Sequence, residues 1–339
     1  MSSVRGKGAA VAFVAFAVGA LISLATSWVL VTRLERLGER VGLSEALLGL
    51  LAALAADTPE ITSAVTAVIH HQRAIGSGVV IGSNVFNVAA LLGLGAVVAR
   101  RIELHRKVVI LGGTVATWVA LISLLSVVGV VGPVVGLALV LVVLVPYVVL
   151  LGARHRDMRH RPLPRRWDRW LESALVEEES ELVVAIRPPP ATRRDAVVAV
   201  VALVIVVASS VVMERAASVV GRHDHVAGIV VGGLVLAAVT SLPNAVAGVY
   251  LAARGRGAAM LSTTLSSNTF NVVLGLLLPA TVVGLARPTG TETLIVGWYG
   301  ALTVITLVLA YLGRGLGRGQ GWLIMGGYAG FVAVLLAVS

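Results

Sequence analysis

Cysteine is absent from this 339-residue chain, and charged residues make up only 13% of it. The lack of cysteine excludes disulfide bonds, thiolate catalysis and cysteine-ligated metal sites. The low share of charge excludes an ordinary soluble domain, in which about a quarter of the residues would be charged. Hydrophobic residues account for 58% of the sequence, and the mean hydropathy is +0.95. The chain is therefore predicted to be an integral membrane protein with many spans.

Motifs for phosphate binding and for hydrolysis are also missing. The glycine-rich segment 313–327 lacks the Lys-Ser/Thr pair of a phosphate-binding loop, and no hydrolase triad stands out. We therefore expect neither an enzyme nor a nucleotide-driven pump, and no cofactor. The net charge of +10 does not predict nucleic-acid binding, because no nucleic-acid-binding module interrupts the apolar runs and basic cytoplasmic loops account for the charge.

Ten apolar runs are long enough to cross a membrane, with five in each half of the chain. They lie at about 9–32, 43–69, 76–99, 108–127 and 129–152, and at about 196–213, 226–253, 258–286, 291–313 and 320–338. An odd number of spans per half inverts the second half, so the predicted fold is all-α, with ten transmembrane helices in two inverted five-helix repeats. The predicted domains are a first repeat at 1–152, a cytoplasmic linker loop at 153–195 and a second repeat at 196–339.

The distribution of basic residues predicts the orientation in the membrane. With both termini outside, the cytoplasmic segments hold 21 of the 27 Lys and Arg residues, ten of them in the linker. Basic residues concentrate in cytoplasmic loops, so we expect a multi-pass protein of the cell (plasma) membrane with both termini outside. The linker is predicted to be partly disordered, and the alternative is a short helix near 167–175 lying on anionic lipid.

Two polar segments interrupt the apolar runs at corresponding positions of the two halves. Residues 56–60 read Ala-Asp-Thr-Pro-Glu, and residues 240–244 read Thr-Ser-Leu-Pro-Asn, 184 positions later. The hexapeptides Gly-Ser-Asn-Val-Phe-Asn at 82–87 and Ser-Ser-Asn-Thr-Phe-Asn at 266–271 keep the same spacing. A carboxylate at membrane depth costs roughly 2.5 to 3.5 kcal/mol, which favours an ion or proton site. Proline-interrupted spans at matching positions of two halves predict that this site lies at the membrane midplane.

These motifs resemble the alpha-repeats of the calcium/cation antiporter superfamily, the group of the sodium/calcium exchangers. The resemblance covers both halves, with an alpha-1 motif at 56–87 and an alpha-2 motif at 240–271. It implies ten spans that enclose a central cation site. The residues that match the family's cation ligands are Glu60, Ser83, Asn87, Thr240, Ser241, Asn244, Ser267 and Asn271. Hard cations such as Ca2+ take six to eight oxygen ligands, which these side chains can supply.

The chain departs from the family's pattern in the charges of the site. Calcium transporters of the family usually carry a second glutamate where this chain has Asn244, and often an acid where it has Asn271. Asp57 stands where the family has a serine, and Ala56 replaces its threonine. Asp57 is therefore added to the predicted metal ligands, and both predicted charges lie on one helix, on Asp57 and Glu60.

The leading hypothesis is a secondary-active antiporter that exchanges Ca2+ or another cation for Na+ or H+ by alternating access. A monovalent cation/proton antiporter of the same fold is an alternative, because two carboxylates three residues apart favour proton binding by one of them. A transport-inactive membrane binding or regulatory protein is another, because both second-repeat acids are missing. The predicted partners are inorganic cations and membrane lipid.

Two further pairs of residues admit more than one interpretation. Asn84 and Asn268, at the centre of each hexapeptide, are either cation ligands or amides that pack the helices. The pair His70 and His71 lies at a predicted outer helix end, where solvated surface is favoured over a metal site.

Overall fold

A computed structural model describes residues 2–41, 43, 45–152, 192–223, 226–285 and 289–338. Nearly all of the linker predicted at 153–195, including its candidate surface helix, lies outside the described residues. The first half contains α1 (Ser2–Arg40), α2 (Glu45–Ala56), α3 (Thr58–Ile69), α4 (Arg73–Asn87), the π-helix π1 (Val88–Leu94), α5 (Gly95–Ala99), strand β1 (Arg101–Glu103), α6 (Arg106–Val127) and α7 (Pro133–Gly152). The second half contains α8 (Arg193–His223), α9 (Gly228–Val230), π2 (Val231–Leu236), α10 (Ala237–Thr240), α11 (Leu242–Ala253), α12 (Gly257–Phe270), π3 (Asn271–Leu277), α13 (Leu278–Val283), α14 (Gly290–Gly313), β2 (Gly315–Gly317) and α15 (Arg318–Val338).

Eight helices of the described part of the chain are long and apolar enough to cross a membrane. They are Ala10–Gly38, Arg73–Ala99, Arg106–Val127, Pro133–Leu151, Arg193–His223, Gly257–Val283, Gly290–Gly313 and Arg318–Val338. The pair Gly228–Thr240 and Leu242–Ala253, bent by 49°, makes a ninth if it is one broken span. The chain is thus a mainly helical, multi-pass membrane protein.

The predicted run at 43–69 is two helices rather than one. α2 and α3 have 12 residues each and meet at Asp57. Neither helix alone reaches the ~20 residues that a span requires. Two other helices, α1 and α8, are longer than predicted, because an apolar run marks only the part of a helix within the hydrocarbon and both helices continue into charged segments.

α1 and α8 pack along their length. Ser23 and Ser210 are hydrogen-bonded through their hydroxyls at 3.2 Å. Near the C-terminal end of α1 and the N-terminal end of α8, Asp195 accepts hydrogen bonds from Arg33 at 2.7 Å and Arg36 at 3.3 Å. These contacts join the first helix of one half to the first helix of the other.

The two halves are interleaved through their broken helices. α4 of the first half packs against π2 of the second, and α12 of the second half packs against α2 of the first. α4 and π2 touch backbone to backbone, because a Cβ atom on Gly82 would lie only 2.2 Å from the carbonyl oxygen of Gly233. Only glycine at position 82 permits this approach. The interleaving brings both polar segments into one region.

A short β-ribbon is the one departure from the all-α prediction in the described residues. β1 pairs antiparallel with β2, with Ile102 opposite Leu316. Gly315 has a φ of +133°, and a Cβ atom there would lie 2.0 Å from the carbonyl oxygen of Ile102. Strands of three residues are too short for the apolar alternation by which a strand is predicted.

Candidate cation-binding site

The two polar segments break their helices in the same way. Asp57, between α2 and α3, has φ −79° and ψ −5°, and Ser241, between α10 and α11, has φ −84° and ψ 0°. Pro59 and Pro243 follow two positions later, in the first turn of the next helix. Because proline has no N–H, each break frees a backbone carbonyl of the preceding helix from its helical hydrogen bond.

Neither residue at a break caps its own helix. Aspartate and serine at this position usually accept a hydrogen bond from the first turn. The side chains of Asp57 and Ser241 make no such bond. Instead, each side chain is hydrogen-bonded to a residue of the opposite half of the chain.

The two hexapeptides lie at the ends of α4 and α12, and a π-helix of seven residues follows each of these helices. π1 begins directly after Asn87, and π3 begins at Asn271. π-helical turns are rare and occur frequently at functional sites. The backbone irregularity is therefore repeated in both halves, beside the residues that the sequence assigned to the site.

All nine predicted ligands are buried, and they come from both halves. The exposed fraction is 0% for Asp57, Glu60, Ser83, Asn87, Ser241, Ser267 and Asn271, and 1% for Thr240 and Asn244. Buried polar groups at such a density require partners.

Both carboxylates of the first half accept hydrogen bonds from the second half. Asp57 Oδ1 accepts from the Ser267 hydroxyl at 2.6 Å and from Asn244 Nδ2 at 2.7 Å. Glu60 Oε1 accepts from the Ser241 hydroxyl at 3.0 Å and from Asn244 Nδ2 at 3.4 Å. The amide of Asn244 thus lies within hydrogen-bond distance of both carboxylates. Within the described residues, neither carboxylate forms an ion pair with a basic side chain.

The asparagines of the hexapeptides extend this network across the two halves. Asn87 Nδ2 donates to the Ser267 hydroxyl at 3.0 Å and to Asn268 Oδ1 at 3.1 Å. Asn271 Nδ2 donates to Asn84 Oδ1 at 3.2 Å. Two predicted ligands lie outside this network. The Thr240 hydroxyl donates to the Leu236 carbonyl of its own helical run at 2.9 Å, and the Ser83 hydroxyl has no hydrogen-bond partner.

Six oxygen atoms of the predicted ligands have no hydrogen-bond partner although they are buried. They are Asp57 Oδ2, Glu60 Oε2, Ser83 Oγ, Asn87 Oδ1, Asn244 Oδ1 and Asn271 Oδ1. Leaving such an atom unsatisfied costs about 1 to 3 kcal/mol, and more if it is charged. Carboxylate, amide and hydroxyl oxygens are the ligands that hard cations prefer, and Ca2+ takes six to eight of them. The chemistry of this set fits a cation.

No group of three or more His, Cys, Asp or Glu side chains that could hold a metal occurs in the described residues. Two other positions with titratable side chains, the histidine pair and Glu214, differ from the site described above. His70 and His71 are exposed, as predicted, and His70 Nε2 lies 3.1 Å from Arg215. Glu214 on α8 is fully buried with both carboxylate oxygens unpaired. Glu214 was not predicted, because it directly follows the apolar run that ends at about residue 213 and has no counterpart in the two motifs.

Comparison with known families identifies the fold around these residues. The sequence model of the family "Sodium/calcium exchanger protein" matches residues 11–154 and 195–337, which include most of both predicted repeats and leave out most of the predicted linker. The chain belongs to this family. The resemblance to the calcium/cation antiporters inferred from the two motifs is confirmed, and the members of this family are ion transporters rather than enzymes.

Three known proteins resemble the chain to different extents. The sodium-calcium exchanger NCX_Mj is 19% identical, with a TM-score of 0.57 over 96% of this chain and 99% of that one. The H+/Ca2+ exchanger CAX is 13% identical, with a TM-score of 0.69 over 97% and 86%. A protein named as an antiporter, CaxA of Alkalimonas amylolytica, is 32% identical over 82 residues, which is 24% of this chain and 26% of CaxA. The two structures share the fold with this chain.

Proposed function

We propose that this exchanger-family protein is a secondary-active cation antiporter, with one cation site between the helix breaks at Asp57 and Ser241. It would exchange Ca2+ or another cation for Na+ or H+. The architecture would be ten transmembrane helices in two inverted repeats, 1–152 and 196–339, joined by the cytoplasmic linker 153–195.

The two breaks support this architecture. α2 and α3 together have the length of one span, interrupted at Asp57, in the same way as α9 to α11 are interrupted at Ser241. When each interrupted run is counted as one span, the eight uninterrupted spans and these two make five spans in each half. An odd number of spans per half inverts the second repeat.

The set of six unpaired oxygens carries the proposal. They come from both halves, they are buried, and two of them belong to carboxylates. Two negative charges match one divalent cation, or one monovalent cation together with a proton. We assign cation binding to Asp57, Glu60, Ser83, Asn87, Ser241, Asn244, Ser267 and Asn271, with Thr240 supporting the break.

The burial of this set supports alternating access. With every proposed ligand at most 1% exposed, an ion can enter only if the surrounding helices separate. A site that opened to both sides at once would be a channel and would dissipate the gradient. We therefore propose that the helices open the site to one side of the membrane at a time.

A monovalent cation/proton antiporter is the second candidate. It is favoured by Asn244 and Asn271, which replace possible acids with neutral amides, and by the closeness of the two remaining carboxylates, which share the amide of Asn244. Two nearby carboxylates favour the binding of a proton by one of them. A transport-inactive binding protein is the third, and it would move no ion at all.

Ion flux in proteoliposomes tests the proposal. Purified protein is reconstituted, and the fluxes of Ca2+, Na+, K+ and H+ are measured under imposed gradients, with empty liposomes as the control. Movement of one cation that depends on an opposing gradient of another supports antiport. The absence of flux for all four ions would contradict it and favour the binding protein.

Labelling of single cysteines tests the orientation, since the chain has no cysteine of its own. Cysteines at Ser3, Gln72 and Ser339 should react with an impermeant reagent from outside, and one at Ser173 should be protected. External labelling at Ser173 alone would reverse the orientation.

A further inference from the structure

Asn84 and Asn268 form a reciprocal pair between the two halves. Asn84 Nδ2 donates to the main-chain carbonyl of Asn268 at 3.1 Å, and Asn268 Nδ2 donates to the main-chain carbonyl of Asn84 at 3.1 Å. Both side chains are buried, at 0% and 1% exposed. The two bonds fasten the end of α4 to the end of α12, and they fix which side of each amide carries its oxygen.

The amide oxygen of each residue accepts from the other half's proposed ligand. Asn84 Oδ1 accepts from Asn271 Nδ2 at 3.2 Å, and Asn268 Oδ1 accepts from Asn87 Nδ2 at 3.1 Å. Asn84 and Asn268 are 184 positions apart, as are Asn87 and Asn271. The arrangement is therefore the same bond made twice, once from each half.

This pairing determines the direction of the ligand amides. An asparagine amide can turn over and exchange its oxygen with its nitrogen, since both ends have similar shape. Asn87 and Asn271 are held with the nitrogen on the bonded side, and Oδ1 of each is left buried without a partner. Turning either amide would place its oxygen against another oxygen and break the bond.

We propose that Asn84 and Asn268 are positioning residues that keep the amide oxygens of Asn87 and Asn271 directed at the transported cation. This inference rests on the proposed function, and it adds two residues that are not ligands. Asn84 and Asn268 do not coordinate the ion, because their own amide groups are engaged with the opposite half. They differ from packing amides in that they act on cation affinity.

The pattern of bonds predicts which pairs of residues are coupled. Asn84 acts through Asn271, and Asn268 acts through Asn87. Outer residues that orient metal ligands typically contribute about 10- to 100-fold in metal affinity. Asn84→Ala should therefore raise the half-saturating Ca2+ concentration for uptake about tenfold or more, with a smaller change in maximal rate. The same change should have little further effect in a protein that already carries Asn271→Ala.

A double-mutant cycle measures this coupling. The probe is radioactive Ca2+, or radioactive Na+ if only Na+ is transported by the wild type. The expected result is strong non-additivity for Asn84 with Asn271 and for Asn268 with Asn87. Asn84 with Asn87, and Asn268 with Asn271, serve as matched controls and should be close to additive. Additive effects in the first two pairs, or unchanged half-saturation in Asn84→Ala and Asn268→Ala, would overturn the inference.

Controls for folding and for the proposed function complete the experiment. Thr264→Ala removes a buried hydroxyl of α12 that donates within its own helix, to Met260 at 2.8 Å, and should leave half-saturation unchanged. If Asn84→Ala is not recovered as folded protein, Asn84→Ser and the mirrored pair Asn268 and Asn87 give the same comparison. Wild-type flux that depends on Glu60, combined with additive double mutants, refutes only this inference. The absence of flux in the wild type refutes the proposed function and this inference with it.

Discussion

The helix break at Asp57 and the helix break at Ser241 share a backbone and differ in chemistry. The two residues have nearly equal φ and ψ, and each is followed two positions later by a proline. The first break supplies two carboxylates, and the second supplies a hydroxyl and an amide that donate to them. The two halves therefore stay bonded at this point although only the first break is charged. The side chains at the second break donate hydrogen bonds to the carboxylates at the first.

The contacts of α4 and α12 differ in a related way. Gly82 of α4 lies against the backbone of Gly233, where there is no room for a Cβ atom. Its counterpart 184 positions later is Ser266, which lines a small cavity with Leu50 and Phe270. Both helices pack against the opposite half of the chain, but α4 packs more closely there than α12 does.

The largest expected effect comes from removing the charge of the first break. Glu60→Gln keeps the size and hydrogen-bonding capacity of the side chain while deleting its charge. We expect flux to fall to the level of empty liposomes, because a desolvated cation then has only Asp57 to neutralise it. The protein should still be recovered as a folded, membrane-inserted species. Normal exchange by this variant would remove Glu60 from the site.

Adding charge to the second break should change selectivity. Asn244→Glu replaces an amide donor with a third carboxylate beside Asp57 and Glu60. Each added unit charge at about 4 Å is worth about 4 kcal/mol at an effective dielectric constant of 20. Preference for a divalent cation or a proton over a monovalent cation should rise by at least about tenfold in competition flux assays. Asn244→Gln is the uncharged control, and an equal shift in that variant would contradict a charge effect.

A smaller effect is expected from removing the second carboxylate of the first break. Asp57→Ser restores the residue that the family has at this position and deletes the like charge near Glu60. Proton binding at the pair should become less favourable, so the pH dependence of transport should weaken. The measurement is the flux of the transported cation as a function of pH. A profile that overlays the wild type would exclude Asp57 from the coupled site.

The smallest effect concerns packing. Gly82→Ala should destabilise the protein by about 1 to 3 kcal/mol, the usual range for an overpacked contact. Ser266→Ala, the matched change in the other half, should cost less because it only removes an atom. Thermal unfolding of both variants in detergent provides the comparison. Equal stability of the two would show that α4 and π2 do not require the close approach.

Much of the fold could be predicted because hydropathy and internal repetition are both strong in this chain. The ten apolar runs coincide with helices or broken helices, apart from differences at their ends. The proposed ligands, apart from Asp57, came from the resemblance of the two motifs to the exchanger family. Asp57 was included from its chemistry, since a carboxylate within an apolar run requires a partner. The structure places it between Asn244 and Ser267.

The remaining features depend on contacts between distant residues. Nothing local in the sequence reveals that Asn84 bonds Asn268, that Gly82 touches Gly233 or that β1 pairs with β2. Whether Asn84 was a ligand or a packing amide could not be decided, because both roles use the same residue type. Glu214 directly follows a predicted apolar run and has no counterpart in the motifs, so no sequence signal pointed to it.

Locating the cation tests the central claim most directly. Crystals soaked with Sr2+, and others soaked with Rb+, would reveal a bound ion by anomalous scattering. We predict one peak for at least one of these ions, within coordination distance of Glu60 Oε2 and Asp57 Oδ2 and of the amide oxygens of Asn87, Asn244 and Asn271. A peak at another buried position, for instance beside Glu214, with none between the two helix breaks, would contradict the account.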